Sequence, residues 1–210
     1  MSRRRLLVAT RSTHKLRELR ELLDLHQTDL VSLDDMDIAD DPVEDGATFA
    51  TNAAIKARFG ARRSGLPTLA DDSGLEVDAL GGGPGVRTRR YAGETASDAD
   101  NNAKLLDALH GLPQGRRGAR YVCALALVVP EAASRRGGLS PILVRGTCRG
   151  RIATEARGHG GFGYDPIFEP ASEPAGGRTF GLWSPAEKHV VSHRARAAQR
   201  MAPRLVALGF

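Results

Sequence analysis

The sequence predicts an α/β fold, and two features carry that expectation. Strand-length apolar runs, beginning with Arg5-Leu6-Leu7-Val8-Ala9, are followed by helical patterns such as Leu16, Leu19, Leu22 and Leu23 on one face. Helix starts carry capping residues, among them Ser97 and the box Ser184-Pro185-Ala186-Glu187. An acidic pair, Asp71-Asp72, closes the apolar run from Thr68 to Ala70.

At 210 residues the chain fits one domain, or one domain with a smaller lobe. Its 41% hydrophobic and 26% charged content is that of a soluble globule. The formal charge of +5 permits a polyanionic partner without choosing between nucleic acid and a small phosphorylated molecule. Nearly all basic residues are Arg; the lysines are Lys15, Lys56, Lys104 and Lys188. No apolar run is long enough to span a bilayer, and the one after Ser2-Arg3-Arg4-Arg5 is too short for a signal segment. Cys123 and Cys148 lack metal-ligand spacing and lie in strand-like runs. Buried reduced thiols and a cytoplasmic location are therefore expected.

The first strand leads through Thr10-Arg11-Ser12-Thr13-His14-Lys15 into a helix. Backbone N–H groups and Lys15 at a helix N-terminus make an anion site. A plain strand-to-helix turn capped by Thr10 or Ser12 fits equally well. The glycines of a Walker loop are missing. A second strand is expected from Asp29 to Leu33. The acidic run from Asp34 to Asp45 reads as a solvated loop that could lend a carboxylate to a metal. A helix follows from about Ala47 to Arg63, with Lys56 inside it.

The strand ending at Ala70 delivers two carboxylates, and a turn at Ser73-Gly74 is expected to stop it. Successive strand side chains point to opposite faces, so Asp71 and Asp72 cannot do the same job. One can face a cleft and hold a cation; the other must be paired, capped or exposed. Ser97 caps a helix through Leu109. Tyr121 to Val129 and Ile142 to Ile152 are two strands joined by a polar loop, Pro130 to Pro141. The two cysteines lie about equally far from that loop's centre and are expected to be cross-strand neighbours.

Gly158-His159-Gly160-Gly161-Phe162-Gly163-Tyr164-Asp165-Pro166 is dense in glycine, which lets a backbone approach a ligand closely. Phe162 and Tyr164 offer rings to stack on a planar group, and Asp165 offers an acceptor for a ring N–H. The alternative is a glycine-rich turn before a short strand at Ile167-Phe168. Lys188 follows the Ser184 capping box, and Ser192-His193-Arg194 opens a last helix. Arg194, Arg196, Arg200 and Arg204 make that helix basic, which an ordinary solvated face also explains.

Taken in order, these stretches resemble the Ham1/RdgB-type family of inosine and xanthosine triphosphate pyrophosphatases. The resemblance comprises Ala9-Thr10 to Lys15, Glu44 before Gly46-Ala47-Thr48-Phe49, and Asn52-Ala53 with Lys56. It continues through Ala70 to Leu75, Gly82 to Val86 with Arg90-Tyr91, Gly160 to Pro166, Glu187-Lys188 and Ser192-His193-Arg194. It implies a long, twisted, mixed sheet flanked by helices, with two lobes around a central substrate cleft, in a homodimer. It implies hydrolysis of ITP, dITP and XTP to the monophosphate and pyrophosphate, with Mg²⁺ as cofactor and no nucleic-acid or membrane partner.

Carried over by position, the resemblance assigns Thr10, Arg11, Ser12, Thr13, His14 and Lys15 to the triphosphate, with Lys56 as a second phosphate cation. Glu44 and Asp72 would bind Mg²⁺, and Asp72 would also accept the proton of the attacking water. Ser73 would touch substrate. Phe162, Gly163, Tyr164, Asp165, Lys188, His193 and Arg194 would form the base pocket. One departure stands out: the family commonly has Thr-Gly-Asn where this chain has Thr10-Arg11-Ser12, and Arg11 would compensate in part for the lost amide. The competing readings are a Maf-like pyrophosphatase acting on pyrimidines and a nucleic-acid-binding module built on the Arg-rich last helix. The stretches Phe162 to Asp165 and Ser192 to Arg194 argue against the first. The lack of aromatics among the last helix's arginines argues against the second.

Overall fold

Leu6, Leu7 and Val8 are fully buried in β1 (Arg4–Val8), as their continuous apolar run predicts for a strand covered on both faces. A computed structural model describes residues 3–130 and 140–210. The expected polar loop from Pro130 to Pro141 lies largely outside the described residues. After β1 come α1 (Thr13–Leu23), β2 (Thr28–Ser32), α2 (Phe49–Ser64), β3 (Thr68–Val77) and α3 (Asp98–Ala108). Then follow β4 (Gly118–Val128), β5 (Ile142–Ile152), β6 (Phe168–Pro170), α4 (Pro185–Val191) and α5 (His193–Ala207).

The strands form one sheet in the order β2-β1-β3-β4-β5-β6. β1 pairs in parallel with β2 and with β3, whereas β5 and β6 are antiparallel. Parallel neighbours need crossover connections, and α1 and α2 supply them. The outcome is the mixed, helix-flanked α/β sheet that the family resemblance implies.

Caps set the helix starts. Ser12 accepts from the Lys15 N–H at 3.4 Å and caps α1, while Thr10 Oγ1 accepts from the Ser12 N–H. α2 begins at Phe49, two residues later than expected, because Thr48 and Thr51 form a capping box there. Ser97 with Asp100 and Ser184 with Glu187 form the boxes of α3 and α4. Such caps are each worth about 1 kcal/mol.

The chain divides into two compact units: Met1–Asp72 with Cys123–Gly146 and Arg194–Phe210, and Ser73–Val122 with Thr147–His193. β3, β4 and β5 contribute residues to both. The first unit's core gathers Leu6, Val8, Leu19, Leu69, Leu125 and Met201. The second gathers Leu75, Leu105, Leu109, Tyr121, Phe168 and Phe180.

One expectation is corrected. The chain does not turn at Ser73-Gly74: β3 runs unbroken for ten residues. A turn preference is local, but the Asp71 carboxylate is bound by distant side chains, and Leu75 and Val77 carry the buried face onward. The cysteines are buried thiols on the neighbouring strands β4 and β5, Cys123 in the first core and Cys148 in the second.

Candidate functional site

Asp71 is 1% exposed and lies at the centre of a charge cluster in the first unit. Lys15 Nζ approaches one carboxylate oxygen at 2.7 Å, and Arg194 Nε donates to the other at 2.8 Å. Arg194 Nη1 also donates to Glu18 at 2.5 Å, and the Cys123 thiol donates to Asp71 at 3.2 Å. Two acids face two cations, so the cluster balances its own charge. Burial pushes the Asp71 carboxyl upward, but Arg194 and Lys15 outweigh burial and hold it well below the usual carboxylate range. Burial opposes the Arg194 charge too, yet Asp71 and Glu18 raise its affinity for the proton.

Asp72, one residue on, faces a different group. Lys56 Nζ lies 2.8 Å from Asp72 and 2.9 Å from Glu44. Two carboxylates share one ammonium, which leaves one excess negative charge. Burial, helped by the Glu44 charge, raises the Asp72 carboxyl above its ordinary value, and Lys56 and Lys15 together offset only part of that rise. Burial pulls Lys56 down, but Asp72 and Glu44 more than reverse it.

The phosphate-loop expectation divides. Lys15 keeps its side chain 18% exposed while anchored to Asp71, and Thr13 and His14 are exposed on the first turn of α1. Arg11 instead clamps the acidic run: it pairs with Asp34 at 2.5 Å and Asp41 at 3.1 Å, and donates to the carbonyls of Ile38 and Asp40. Ser73 is half-buried beside Asp72 in β3.

In the second unit Asp165 is 1% exposed and accepts three hydrogen bonds. Lys188 Nζ donates to it at 2.7 Å, the Phe162 N–H at 2.9 Å and the Tyr121 hydroxyl at 3.2 Å. Lys188 also lies 4.7 Å from the centre of the Phe162 ring. Gly161 must be glycine here: its φ is +75°, and a Cβ would collide with the Asp165 carboxylate. The His193 ring stacks on Tyr121, centroids 4.7 Å apart and planes 10° apart. Burial and the Asp165 charge push the Tyr121 hydroxyl well above its ordinary value, so it stays a proton donor.

The structure thus brings Phe162, Asp165 and Lys188 together, and stacks His193 on the tyrosine that binds Asp165. It brings Lys56, Glu44 and Asp72 together as well. Tyr164 is placed differently from the stacking role expected of it. Its ring is 3% exposed in the core, and its hydroxyl donates to the Thr88 carbonyl. Asp165 is a buried pin for its own loop rather than an open acceptor. Arg194 is engaged by Asp71 and Glu18 in the first unit, where the resemblance places it in the base pocket. Glu18 and Tyr121 were missed. Each sits in an ordinary amphipathic or strand pattern, and only the tertiary partner reveals it.

The Ham1 family profile matches residues 6–204. A dITP/XTP pyrophosphatase of Nocardia farcinica is 48% identical over 211 residues, covering 99% of this chain and 98% of its own. One from Corynebacterium diphtheriae is 46% identical, covering 95% of both. The HAM1 protein structure from Coxiella burnetii superposes with a TM-score of 0.85 at 38% identity, covering 97% of this chain and 99% of its own. With a profile and relatives spanning nearly its whole length, the chain belongs to the Ham1 family.

Proposed function

We propose that the protein hydrolyses deaminated purine nucleoside triphosphates, ITP, dITP and XTP, to the nucleoside monophosphate and pyrophosphate, clearing them from the nucleotide pool. The observation that carries this reading is the pair Glu44 and Asp72 converging on a single ammonium beside the Asp71–Lys15 anchor. The relatives named dITP/XTP pyrophosphatase support the substrate class. We read the chain as one catalytic domain whose two units are its lobes. The first would handle phosphate, and the second would read the base.

Mg²⁺ fits the residues present. Among the described residues no group of three or more His, Cys, Asp or Glu could hold a metal alone. Mg²⁺ does not need one, since it takes one or two carboxylates and completes its shell with water and phosphate oxygens. The excess negative charge at Glu44 and Asp72 suits a cation, and these two residues would hold it. When bound, it supplies neutralisation of phosphate charge and a more acidic water.

The chain's own groups do the rest. Asp72 accepts the proton of the water that attacks the α-phosphorus. The bond from that phosphorus to the α–β bridging oxygen breaks, and pyrophosphate leaves with the bond's electrons. Lys15 and Lys56 stabilise the charge it gathers. In the second unit Lys188 and His193 present donors to the 6-oxo group. A missed hydrogen bond there penalises the 6-amino group of ATP.

Arg194 is buried and paired, so the Arg-rich last helix lacks one cation of the nucleic-acid-binding reading. Among the described residues no helix is long and apolar enough to cross a membrane. Two buried thiols outside any disulfide suit the cytoplasm, where we place the protein as a homodimer.

The test is pyrophosphate release from ITP, dITP, XTP, GTP, ATP and dTTP, with Mg²⁺ and with EDTA. Mg²⁺-dependent release from the first three is expected. Equal turnover of all six discards the base selectivity, and no release from any discards the reaction.

A further inference from the structure

We infer that Asp98 and Asn102, one turn apart on α3, are positioning residues that set purine selectivity by clamping the backbone of Gly163. This rests on the proposed function and adds two residues to it. The Gly163 N–H donates to Asp98 Oδ2 at 2.7 Å, and the Gly163 carbonyl accepts from Asn102 Nδ2 at 3.0 Å. Residues four apart share a helix face, so one turn satisfies both polar groups of one loop residue. The Ser97 cap fixes where that turn begins.

Gly163 needs the clamp. Its φ is +62°, and nothing lies within 4 Å of where a Cβ would sit, so glycine supplies conformation here rather than clearance. Its neighbours are pinned separately: the Phe162 N–H by Asp165, the Tyr164 hydroxyl by Thr88. Between those pins, α3 fixes the peptide that aims the Phe162 ring at Lys188.

The two adjacent asparagines differ in a telling way. Asn101 is fully used: Oδ1 accepts from the Ala92 N–H, and Nδ2 donates to the Arg89 carbonyl. Asn102 is 8% exposed, and its Oδ1 is buried with no hydrogen-bond partner. An apolar side chain of similar size would avoid that unsatisfied acceptor. Asparagine at 102 is thus used through its Nδ2, which holds the Gly163 carbonyl.

The experiment compares wild type with Asp98→Ala, Asp98→Asn and Asn102→Leu. It measures pyrophosphate release from ITP and ATP, melting temperature, and amide exchange at Gly163. Asp98→Ala and Asn102→Leu should raise KM for ITP about tenfold with kcat held within about twofold, and lower the ITP-over-ATP ratio about tenfold. Exchange at Gly163 should quicken in both. Asp98→Asn keeps an acceptor oxygen and should stay near wild type. A lowered melting temperature with unchanged KM and selectivity would mean a merely structural role and overturn the inference, as would faster exchange without a change in selectivity. If Asn102→Leu does not fold, the two Asp98 variants decide. Wild type without pyrophosphate release would overturn the underlying function; release in wild type with unaltered variants would overturn this inference alone.

Discussion

Asp71 and Asp72 are neighbours in one strand, yet they stand in opposite electrostatic environments. Asp71 meets two cations inside a balanced cluster, and its proton affinity falls. Asp72 shares one cation with a second acid, and its proton affinity rises. Strand alternation sends the two side chains different ways, so Arg194 reaches only Asp71 as a direct partner and Lys56 pairs with Asp72, while the Lys15 charge is felt by both. A carboxylate with no spare proton affinity is a structural ion. A carboxylate with raised affinity beside excess negative charge is suited to metal and proton chemistry. The largest test of this contrast is Asp72→Asn. The change keeps size and removes the base, so turnover of ITP should fall about 10³-fold while circular dichroism stays native. Activity within tenfold of wild type would break the contrast at its catalytic end.

Asp71→Asn should act on stability instead. It leaves Arg194 buried at 1% exposure with Glu18 as its remaining named carboxylate. Breaking a buried pair costs about 3–5 kcal/mol, which a urea titration would read as a lower midpoint. A midpoint unchanged within error would show that the cluster holds nothing together.

The two acids also differ in sign with pH. Asp71 has a folded value below its unfolded value of about 3.9. Its contribution is complete above about pH 3.9 and drains away as pH falls toward the folded value. Asp72 has a folded value above the unfolded one, so its ionisation opposes folding at neutral pH. That penalty disappears as pH falls through the folded value. Metal-free stability curves should therefore separate. Asp71→Asn should lose less on acidification than wild type, and Asp72→Asn should lose more. Parallel curves would contradict both assignments.

How much of this was legible in the sequence depends on the range of each interaction. The caps at Ser97 and Ser184 were readable because their partners lie three residues away. That the two acids must differ was readable from strand geometry. Strand geometry did not say which acid is buried among cations, because Arg194 reaches Asp71 across 123 positions; only the family resemblance pointed to Asp72 for the metal. Tyr164 looked like a stacking ring because the glycines around it imply an open loop, but its hydroxyl finds Thr88 from 76 positions away. Arg11 looked like a phosphate ligand from its place in the loop, and the acidic run that captures it begins 23 positions later.

Arg11 also gives the smallest test. Its partners Asp34 and Asp41 keep 77% and 57% of their side-chain surface in water, so solvent screens the pairs. Each is worth about 0.2–1 kcal/mol, and Arg11→Gly should barely move the urea midpoint. Its local effect should be larger. Arg11 ties the segment from Asp34 to Asp41 to the start of α1, and Glu44 lies three residues beyond that segment. Without the clamp, backbone amides of residues 34–41 should exchange faster, while those of β3 around Asp71 stay protected. That pattern would separate a rigid, charge-balanced face of the first unit from an adjustable one that carries Glu44. Equal protection in the two segments would mean that Arg11 restrains nothing, and that the acidic run is held by Arg63, which pairs with Asp40.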